Sequence, residues 1–295
     1  MPFMIYNTDM YLSFYKFKEK PFNLTPDANF FYLSGHHQKA LHSLIYGIND
    51  RKGFILLTGE VGAGKTTLCR MLLKDLNEKL NVAVVFNPYL SETGLLRTII
   101  SDFSIETKAK SRADLLNVLG DFLITQKKEN RNVVLMIDEC QNLRLPVIEQ
   151  IRMISNLETE KEKLIQIILV GQPEFREKLA LPKLLQLNQR ISVRFHIPPL
   201  CGEDTKKYIE HRISVAGGEG IHFTDRAIAV IHGHSGGIPR MINVISDYAL
   251  IAGFLDETKE ISEKIALRAV RESKGEPTED ARTEEKKDLA EAVMQ

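Results

Sequence analysis

Hydrophobic residues follow two different spacings along the chain, and these spacings separate buried strands from amphipathic helices. Short continuous apolar runs predict strands, and they occupy residues 54–57, 82–86, 132–137 and 164–170. Between them, apolar side chains recur every three or four positions and predict helices. The predicted helices cover residues 36–50, 67–76, 91–100, 111–126 and 145–157, and residues 184–195 begin as a helix and continue as a strand. The chain up to Pro198 therefore alternates strands with helices.

The predicted strands end at Pro198 and Pro199, which mark a domain boundary. Beyond it the apolar spacing predicts helices only, at residues 202–215, 224–233, 239–254 and 262–272. Thr224 and Ser262 are suited to cap two of these helices. Residues 201–272 are therefore expected to form a small helical domain. Residues 273–295 are rich in charge and lack aromatic side chains, which predicts a solvated, disordered tail.

An aromatic-rich segment, residues 1–35, precedes the first long helix. Pro21 and Pro26 interrupt it, so we expect an irregular strap that packs on the main domain, residues 36–200. Core packing accounts for most of these aromatic side chains. An alternative role for some of them is to form the wall of an adenine pocket.

Composition argues against several classes of protein. The formal net charge is zero, which argues against a surface coated with basic charge for nucleic acid, although a local basic patch fits within a neutral total. Cys69, Cys140 and Cys201 have neither disulfide nor zinc spacing. The N-terminus lacks the pattern of a signal peptide, and no apolar run reaches the roughly 20 residues that a membrane span needs. We therefore expect a cytoplasmic protein without a membrane span.

The candidate chemistry begins directly after the first strand. Residues 59–66 have the sequence GEVGAGKT and match the P-loop pattern G-x-x-x-x-G-K-T, with a strand before them and a helix after them. In a P-loop the backbone N–H groups surround a phosphate, the lysine contacts the β- and γ-phosphates, and the hydroxyl ligates Mg²⁺. The alternative, a glycine-rich turn with a chance lysine, does not explain the flanking elements. The predicted nucleotide ligands are Gly59, Glu60, Val61, Gly62, Ala63, Gly64, Lys65, Thr66 and Thr67, and Thr66 is also a predicted metal ligand.

Two acidic residues follow the strand at residues 132–137. Asp138 and Glu139 end this apolar strand in the form of a Walker B element. Asp138 is suited to hold Mg²⁺, and Glu139 is suited to orient the attacking water and take its proton. The alternative is an ordinary strand that ends in an acidic turn. Downstream of a P-loop, the acidic pair indicates ATP hydrolysis as well as nucleotide binding.

Polar residues further along the chain are candidates for contacts with the γ-phosphate. Gln172 follows the strand at residues 164–170, where P-loop ATPases with an additional strand carry a γ-phosphate sensor; a simple turn residue is the alternative. Arg190 or Arg194 could reach the nucleotide of a neighbouring subunit as an arginine finger, and a surface ion pair is the alternative for either. Arg240 could swing onto the phosphates when a lid closes, or cap its helix.

In their order, these motifs resemble those of an AAA+ ATPase. Several stretches also resemble the general secretion pathway protein A (ExeA-type) family: YKFKEKPFNLTPD at 15–27, YGI at 46–48, RKGF at 51–54, GEVGAGKTTLCR at 59–70, GQPE at 171–174 and QRISVRF at 189–195. The resemblance covers residues 11 to about 255. It implies an α/β fold of the P-loop NTPase type, an αβα sandwich around a parallel sheet, with a C-terminal helical lid.

The resemblance also implies a homo-oligomer, a ring or a filament, that hydrolyses ATP with Mg²⁺ at its subunit interfaces and supports assembly of envelope secretion or pilus machinery. Longer family members continue into a membrane span and a periplasmic peptidoglycan-binding region. This sequence ends after a short tail, so we expect it to reach the inner membrane through a partner. Two alternatives are a DNA-binding AAA+ regulator of the transposition type, which the neutral charge does not favour, and a nucleotide-gated scaffold that hydrolyses little.

Overall fold

The described residues pack into two units. A computed structural model describes residues 9–76, 80–86, 89–159 and 162–276. One unit consists of residues 33–198, and the other combines the residues before them with those from Pro199 onwards. The charged tail predicted at residues 273–295 begins with Ser273, the last residue of a helix, and residues 277–295 lie outside the described part of the chain.

The unit at residues 33–198 is built on a five-stranded parallel sheet. Its strands are β1 (Phe54–Gly59), β2 (Leu80–Val85), β3 (Asn132–Ile137), β4 (Gln166–Gly171) and β5 (Ile191–Ile197). Their order across the sheet is β2-β3-β4-β1-β5, so β4 lies between β1 and β3. Strands β1, β3 and β4 consist almost wholly of buried residues, as expected for strands that helices cover on both faces. The predicted α/β class with a parallel central sheet is therefore confirmed.

Helices connect these strands, and polar caps determine where several of them begin. The helices of this unit are α2 (Gly35–Asn49), α3 (Lys65–Leu76), α4 (Glu92–Asp102), α5 (Arg112–Lys128), α6 (Leu145–Ile154), α7 (Glu174–Leu179) and α8 (Leu185–Arg190), while α1 (Asp9–Tyr15) belongs to the other unit. Ser34, Ser91 and Ser111 are N-caps, and each side-chain oxygen accepts a hydrogen bond from a backbone N–H group of the first turn. The sequence analysis does not predict α7, because a helix of 6 residues is too short to show a period.

The second unit is helical and combines both ends of the described chain. It contains α1 (Asp9–Tyr15), α9 (Gly202–Ala216), α10 (Asp225–Ser235), α11 (Pro239–Leu255) and α12 (Glu263–Ser273), together with the paired strands β6 (His222–Phe223) and β7 (Glu260–Ile261). Thr224 and Ser262 cap α10 and α12, as predicted. The prediction that no strand follows Pro199 is wrong, because strands of 2 residues carry no recognisable alternation.

The aromatic N-terminal segment packs against helices that come much later in the sequence. Its buried aromatic side chains are Tyr11, Tyr15, Phe17, Phe22 and Phe30. They share one core with apolar residues of α9 to α12, and the Tyr15 hydroxyl donates to the carbonyl oxygen of Leu250 at 3.0 Å. The expectation that these side chains pack on the main domain is therefore wrong. A small helical domain buries too little apolar surface alone, and the aromatic segment, which includes α1, supplies the missing part.

A buried arginine connects this segment to α9. Arg212 is only 7% exposed, and its guanidinium donates to the carbonyl oxygens of Pro21 at 2.5 Å and Asn23 at 3.1 Å. It also donates to the Tyr208 hydroxyl at 3.0 Å and lies 4.9 Å from the centre of the Phe30 ring. The bond to the Pro21 carbonyl group is buried, and a buried carbonyl group needs a donor, so the arginine there takes the place that water has at the surface.

We expect Arg212→Ala to lower the free energy of unfolding of the helical unit by about 2–4 kcal/mol, because the buried carbonyl group of Pro21 loses its donor and a buried side chain is removed. Hydrogen–deuterium exchange of residues 202–273 measures this, and protected amides should exchange more than roughly tenfold faster. The matched control is Arg226→Ala, since the Arg226 side chain is 85% exposed and should matter by less than about 0.5 kcal/mol. Equal effects of the two substitutions would contradict this account.

Candidate functional site at the carboxyl ends of the strands

The P-loop predicted after β1 forms a tight turn between that strand and α3. Gly62 and Gly64 have φ angles of +80° and +84°, in the left-handed region that glycine enters without steric cost. A Cβ atom on Gly59 would lie 2.8 Å from the carbonyl oxygen of Ile197, so a side chain does not fit there. The turn leads directly into α3, whose first N–H groups have no acceptor within the helix and favour an anion. Among the other predicted loop ligands, Ala63 is buried, Glu60 and Thr67 are half-buried and Val61 is exposed.

Lys65 places its ammonium group inside this turn. The residue is 7% exposed, and Nζ donates to the carbonyl oxygens of Gly59 and Glu60, each at 2.8 Å. Burial lowers the pKa of Lys65, and the nearby charges of Glu139, Asp138 and Glu60 partly counteract this effect. A cation in such a water-poor position interacts strongly with any anion that enters the loop.

Thr66 and Asp138 meet where α3 begins and β3 ends. The Thr66 hydroxyl donates to Asp138 Oδ2 at 2.5 Å, and the Asp138 residue is 4% exposed. The backbone of Asp138 continues the sheet, because its N–H group donates to the carbonyl oxygen of Val85 at 2.9 Å. A hydroxyl and a carboxylate at this separation are the oxygen donors that Mg²⁺ prefers, so the residues fit the metal that the P-loop class uses.

Glu139 and Gln172 come together across neighbouring strands. Glu139 has φ of 53° and ψ of 39°, a left-handed conformation that is uncommon for a residue other than glycine. Its Oε2 atom accepts a hydrogen bond from the Gln172 amide at 3.3 Å and one from the Gln141 amide at 2.5 Å. Gln172 directly follows β4, and Glu139 follows β3, which pairs with β4. Of these three residues, the sequence analysis missed Gln141, and its amide two positions after Glu139 was the available signal.

The two candidate arginines lie apart on β5 and the helix before it. Arg190 ends α8, is exposed, and donates to the side-chain oxygen of Asn156. Arg194 lies within β5 and donates to Asn188 Oδ1 at 2.8 Å. Burial and, to a smaller extent, the positive charge of Arg176 lower the pKa of Arg194. No carboxylate forms an ion pair with either Arg176 or Arg194 among the described residues.

The register of β5 separates the two arginines further. Ile191, the residue after Arg190, pairs with Phe54 at the start of β1, whereas Ile197 pairs with Gly59 at the start of the P-loop. Arg190 therefore lies at the edge of the sheet opposite the P-loop of its own chain. Arg240 belongs to the helical unit, where it is exposed and follows Pro239 in the first turn of α11.

A buried histidine that the sequence analysis did not assign to the site contacts the P-loop. On α2, His36 and His42 are exposed, but His37 is only 3% exposed. Its Nε2 atom lies 2.9 Å from the carbonyl oxygen of Ala63, and its Nδ1 atom lies 2.7 Å from Ser34 Oγ. A carbonyl oxygen only accepts, so Nε2 carries the proton and Nδ1 accepts from the hydroxyl. His37 thus joins the N-terminus of α2 to the P-loop.

Comparison with known proteins agrees with the P-loop site described above. A family model described as an AAA domain matches residues 48–179. General secretion pathway protein A of Aeromonas hydrophila is 42% identical over 246 residues, which cover 83% of this chain and 45% of that protein. The chain therefore spans less than half the length of this curated relative.

Two solved structures illustrate the shared fold. The ORC2 protein of Aeropyrum pernix, solved in ADPNP–ADP complexes, has a TM-score of 0.66 at 17% identity, over 91% of this chain and 75% of that chain. Cdc6p of Pyrobaculum aerophilum has a TM-score of 0.63 at 19% identity, over 84% of this chain and 70% of that chain. At these identities the likeness describes the fold alone.

The parallel sheet with β4 beside β1, the P-loop and the AAA family match define a P-loop NTPase of the AAA+ class. The chain is an AAA+ protein that resembles general secretion pathway protein A over most of its length. Within the described residues, none of the helices is both long and apolar enough to pass through a membrane.

We expect His37→Leu to loosen the turn at residues 59–66, because the Ala63 carbonyl loses a buried donor worth roughly 1–3 kcal/mol. Hydrogen–deuterium exchange of peptides that cover this turn should become about tenfold faster or more. The control is His42→Leu, a substitution of an exposed histidine on the same helix, which should leave the turn unchanged. Unaltered exchange in His37→Leu would show that the histidine does not hold the loop.

Proposed function

We propose that the protein binds ATP with Mg²⁺ and hydrolyses it to ADP and phosphate. One observation carries this proposal: the hydroxyl of Thr66 and the carboxylates of Asp138 and Glu139 converge beside the P-loop, with Gln172 hydrogen-bonded to Glu139. A protein that only binds the nucleotide does not need a second carboxylate, such as that of Glu139, held by hydrogen bonds from neighbouring amides. The fold and family define the NTPase class, and the convergence supports hydrolysis within it.

Each residue then has a distinct role in phosphoryl transfer. The backbone of residues 59–67 and the ammonium of Lys65 hold the phosphates and stabilise the charge that develops on them. Thr66 and Asp138 hold Mg²⁺, which supplies further positive charge next to the phosphates when bound. Glu139 orients the attacking water and accepts its proton, and Gln172 contacts the γ-phosphate.

We propose a homo-oligomer, a ring or a filament, in which an arginine of one subunit completes the site of the next. The finger is assigned to Arg194, because β5 carries it towards the P-loop end of the sheet, whereas Arg190 lies at the opposite end. Among the described residues the Arg194 guanidinium forms no ion pair with a carboxylate, and it donates to Asn188 Oδ1 at 2.8 Å. A guanidinium without a carboxylate partner favours a phosphate anion.

The helical unit is proposed to act as a lid, and Arg240 to contact the phosphates when it closes. The relative from Aeromonas hydrophila bears the name of a general secretion pathway protein, which supports envelope secretion or pilus assembly proteins as partners. We place the protein in the cytoplasm, at the inner membrane through such a partner.

Lys65→Ala should abolish tight ATP binding, because the phosphates lose their buried cation. Glu139→Gln should bind ATP normally and lower kcat by about 100-fold or more, since the amide cannot take a proton from water. Calorimetry with ATP and a phosphate-release assay measure the two effects. Normal turnover of Glu139→Gln would exclude this residue as the base.

A separate experiment measures the ATPase rate of the wild-type protein with and without duplex DNA, at low and at high salt. A rate that DNA raises, and that high salt returns to the value without DNA, would contradict the proposed role with envelope proteins.

Arg194→Ala should bind ATP and lose roughly 10³-fold or more in kcat, whereas Arg190→Ala should keep most of its activity. Mixing Arg194→Ala with Lys65→Ala subunits should restore part of the turnover, because an intact arginine then meets an intact P-loop across an interface. Specific activity of the wild-type protein should rise with protein concentration for the same reason. Failure of the mixture to recover activity would exclude a finger that acts between subunits.

A further inference from the structure

Gln141 joins two groups to which the proposed function gives separate tasks. Its Nε2 atom donates to Glu139 Oε2 at 2.5 Å, and its Oε1 atom accepts from the backbone N–H group of Gln172 at 3.1 Å. The orientation of this amide follows from its neighbours, because a carboxylate only accepts and a backbone N–H group only donates. The side chain therefore bridges the end of β4 and the acidic residue after β3.

Two further contacts restrict where the Gln141 amide can lie. Lys178 on α7 donates from its ammonium group to the carbonyl oxygen of Gln141 at 3.0 Å and to that of Leu143 at 2.5 Å. On the other side, a Cβ atom on Gly171 would lie 3.3 Å from Gln141 Oε1 and 3.3 Å from Phe175 Cβ. A larger residue at position 171 would therefore press on the amide. The position of the Gln141 side chain is therefore restricted both by the bond from Lys178 to its backbone and by its contacts with the end of β4.

We propose that Gln141 is a positioning residue that couples the γ-phosphate contact of Gln172 to the orientation of Glu139. This inference rests on the proposed function of the site. Gln141 and Gln172 both donate to the same oxygen of Glu139, at 2.5 Å and 3.3 Å. When the Gln172 side chain turns to a γ-phosphate, the shorter bond from Gln141 keeps the carboxylate in place. The bond from the Gln172 backbone to Gln141 keeps the end of β4 beside it.

The test compares nucleotides that differ only in the γ-phosphate. In Gln141→Leu, affinity for ADP should change by less than about twofold, while affinity for a non-hydrolysable ATP analogue should fall severalfold. The kcat should fall by roughly ten- to a hundredfold, as expected for a lost hydrogen bond to a charged group. The control is Gln186→Leu on the exposed face of α8, which should leave all three quantities unchanged.

A merely structural role for Gln141 gives a different pattern. It would weaken ADP and the ATP analogue equally, and that result would overturn the inference. In a Gln172→Leu background, Gln141→Leu should change the discrimination between ADP and the ATP analogue by less than about twofold, because the coupled contact with the γ-phosphate is already absent. Independent, multiplying losses of this discrimination would also overturn the inference. If Gln141→Leu does not fold, Gly171→Ala crowds the same amide and should show the same loss of kcat and of discrimination between the nucleotides.

Different results would contradict the proposed function and the coupling through Gln141. A wild-type protein without ATPase activity, or a Glu139→Gln variant with normal turnover, would remove the proposed function itself. Turnover that depends on Glu139, combined with unchanged kcat and unchanged nucleotide discrimination in a folded Gln141→Leu protein, would remove only the coupling.

Discussion

The position of β4 between β1 and β3 is the constraint on which the candidate site depends. In a parallel sheet the carboxyl ends of neighbouring strands meet at one edge. Thr58 on β1 pairs with Gly171 on β4, and Leu169 on β4 pairs with Ile137 on β3. The residues that follow these strands therefore become neighbours although they are far apart in the sequence. A one-residue slip of β4 would turn its apolar side chains to the opposite face of the sheet, so packing on both faces holds this register.

Local motifs explain which parts of the site could be predicted from the sequence. The P-loop and the Asp138-Glu139 pair are each contained in a few consecutive residues, so their form is visible without a fold. The bond between Gln172 and Glu139 depends on which strand lies next to β3, and the apolar pattern of a strand does not specify its neighbour. His37 and Ala63 are further examples, because the helix that carries His37 meets the P-loop only in the folded unit.

The N-terminal segment shows the same limit for the fold. Its aromatic side chains signal burial clearly, but a hydrophobic pattern does not identify the surface that buries them. These aromatic side chains pack on the helical unit, through the core around Tyr15 and the buried guanidinium of Arg212.

The charge around the P-loop is a similar case, because a formal net charge of zero for the chain does not show how its charges are distributed. Three carboxylates, those of Glu139, Asp138 and Glu60, act on the ammonium of Lys65 and raise its pKa against the effect of burial.

The division of the chain has a consequence for biosynthesis. Residues 33–198 are contiguous, so this unit is complete as soon as its last strand leaves the ribosome. The helical unit begins with the aromatic segment and is finished only by α12, with the whole nucleotide-binding unit translated in between. Domains generally fold as units during synthesis, so the aromatic residues of the N-terminal segment can be buried in their core only after α9 to α12 have been translated. Tyr11, Tyr15 and Phe17 therefore leave the ribosome well before α9 to α12, the helices with which they share a core.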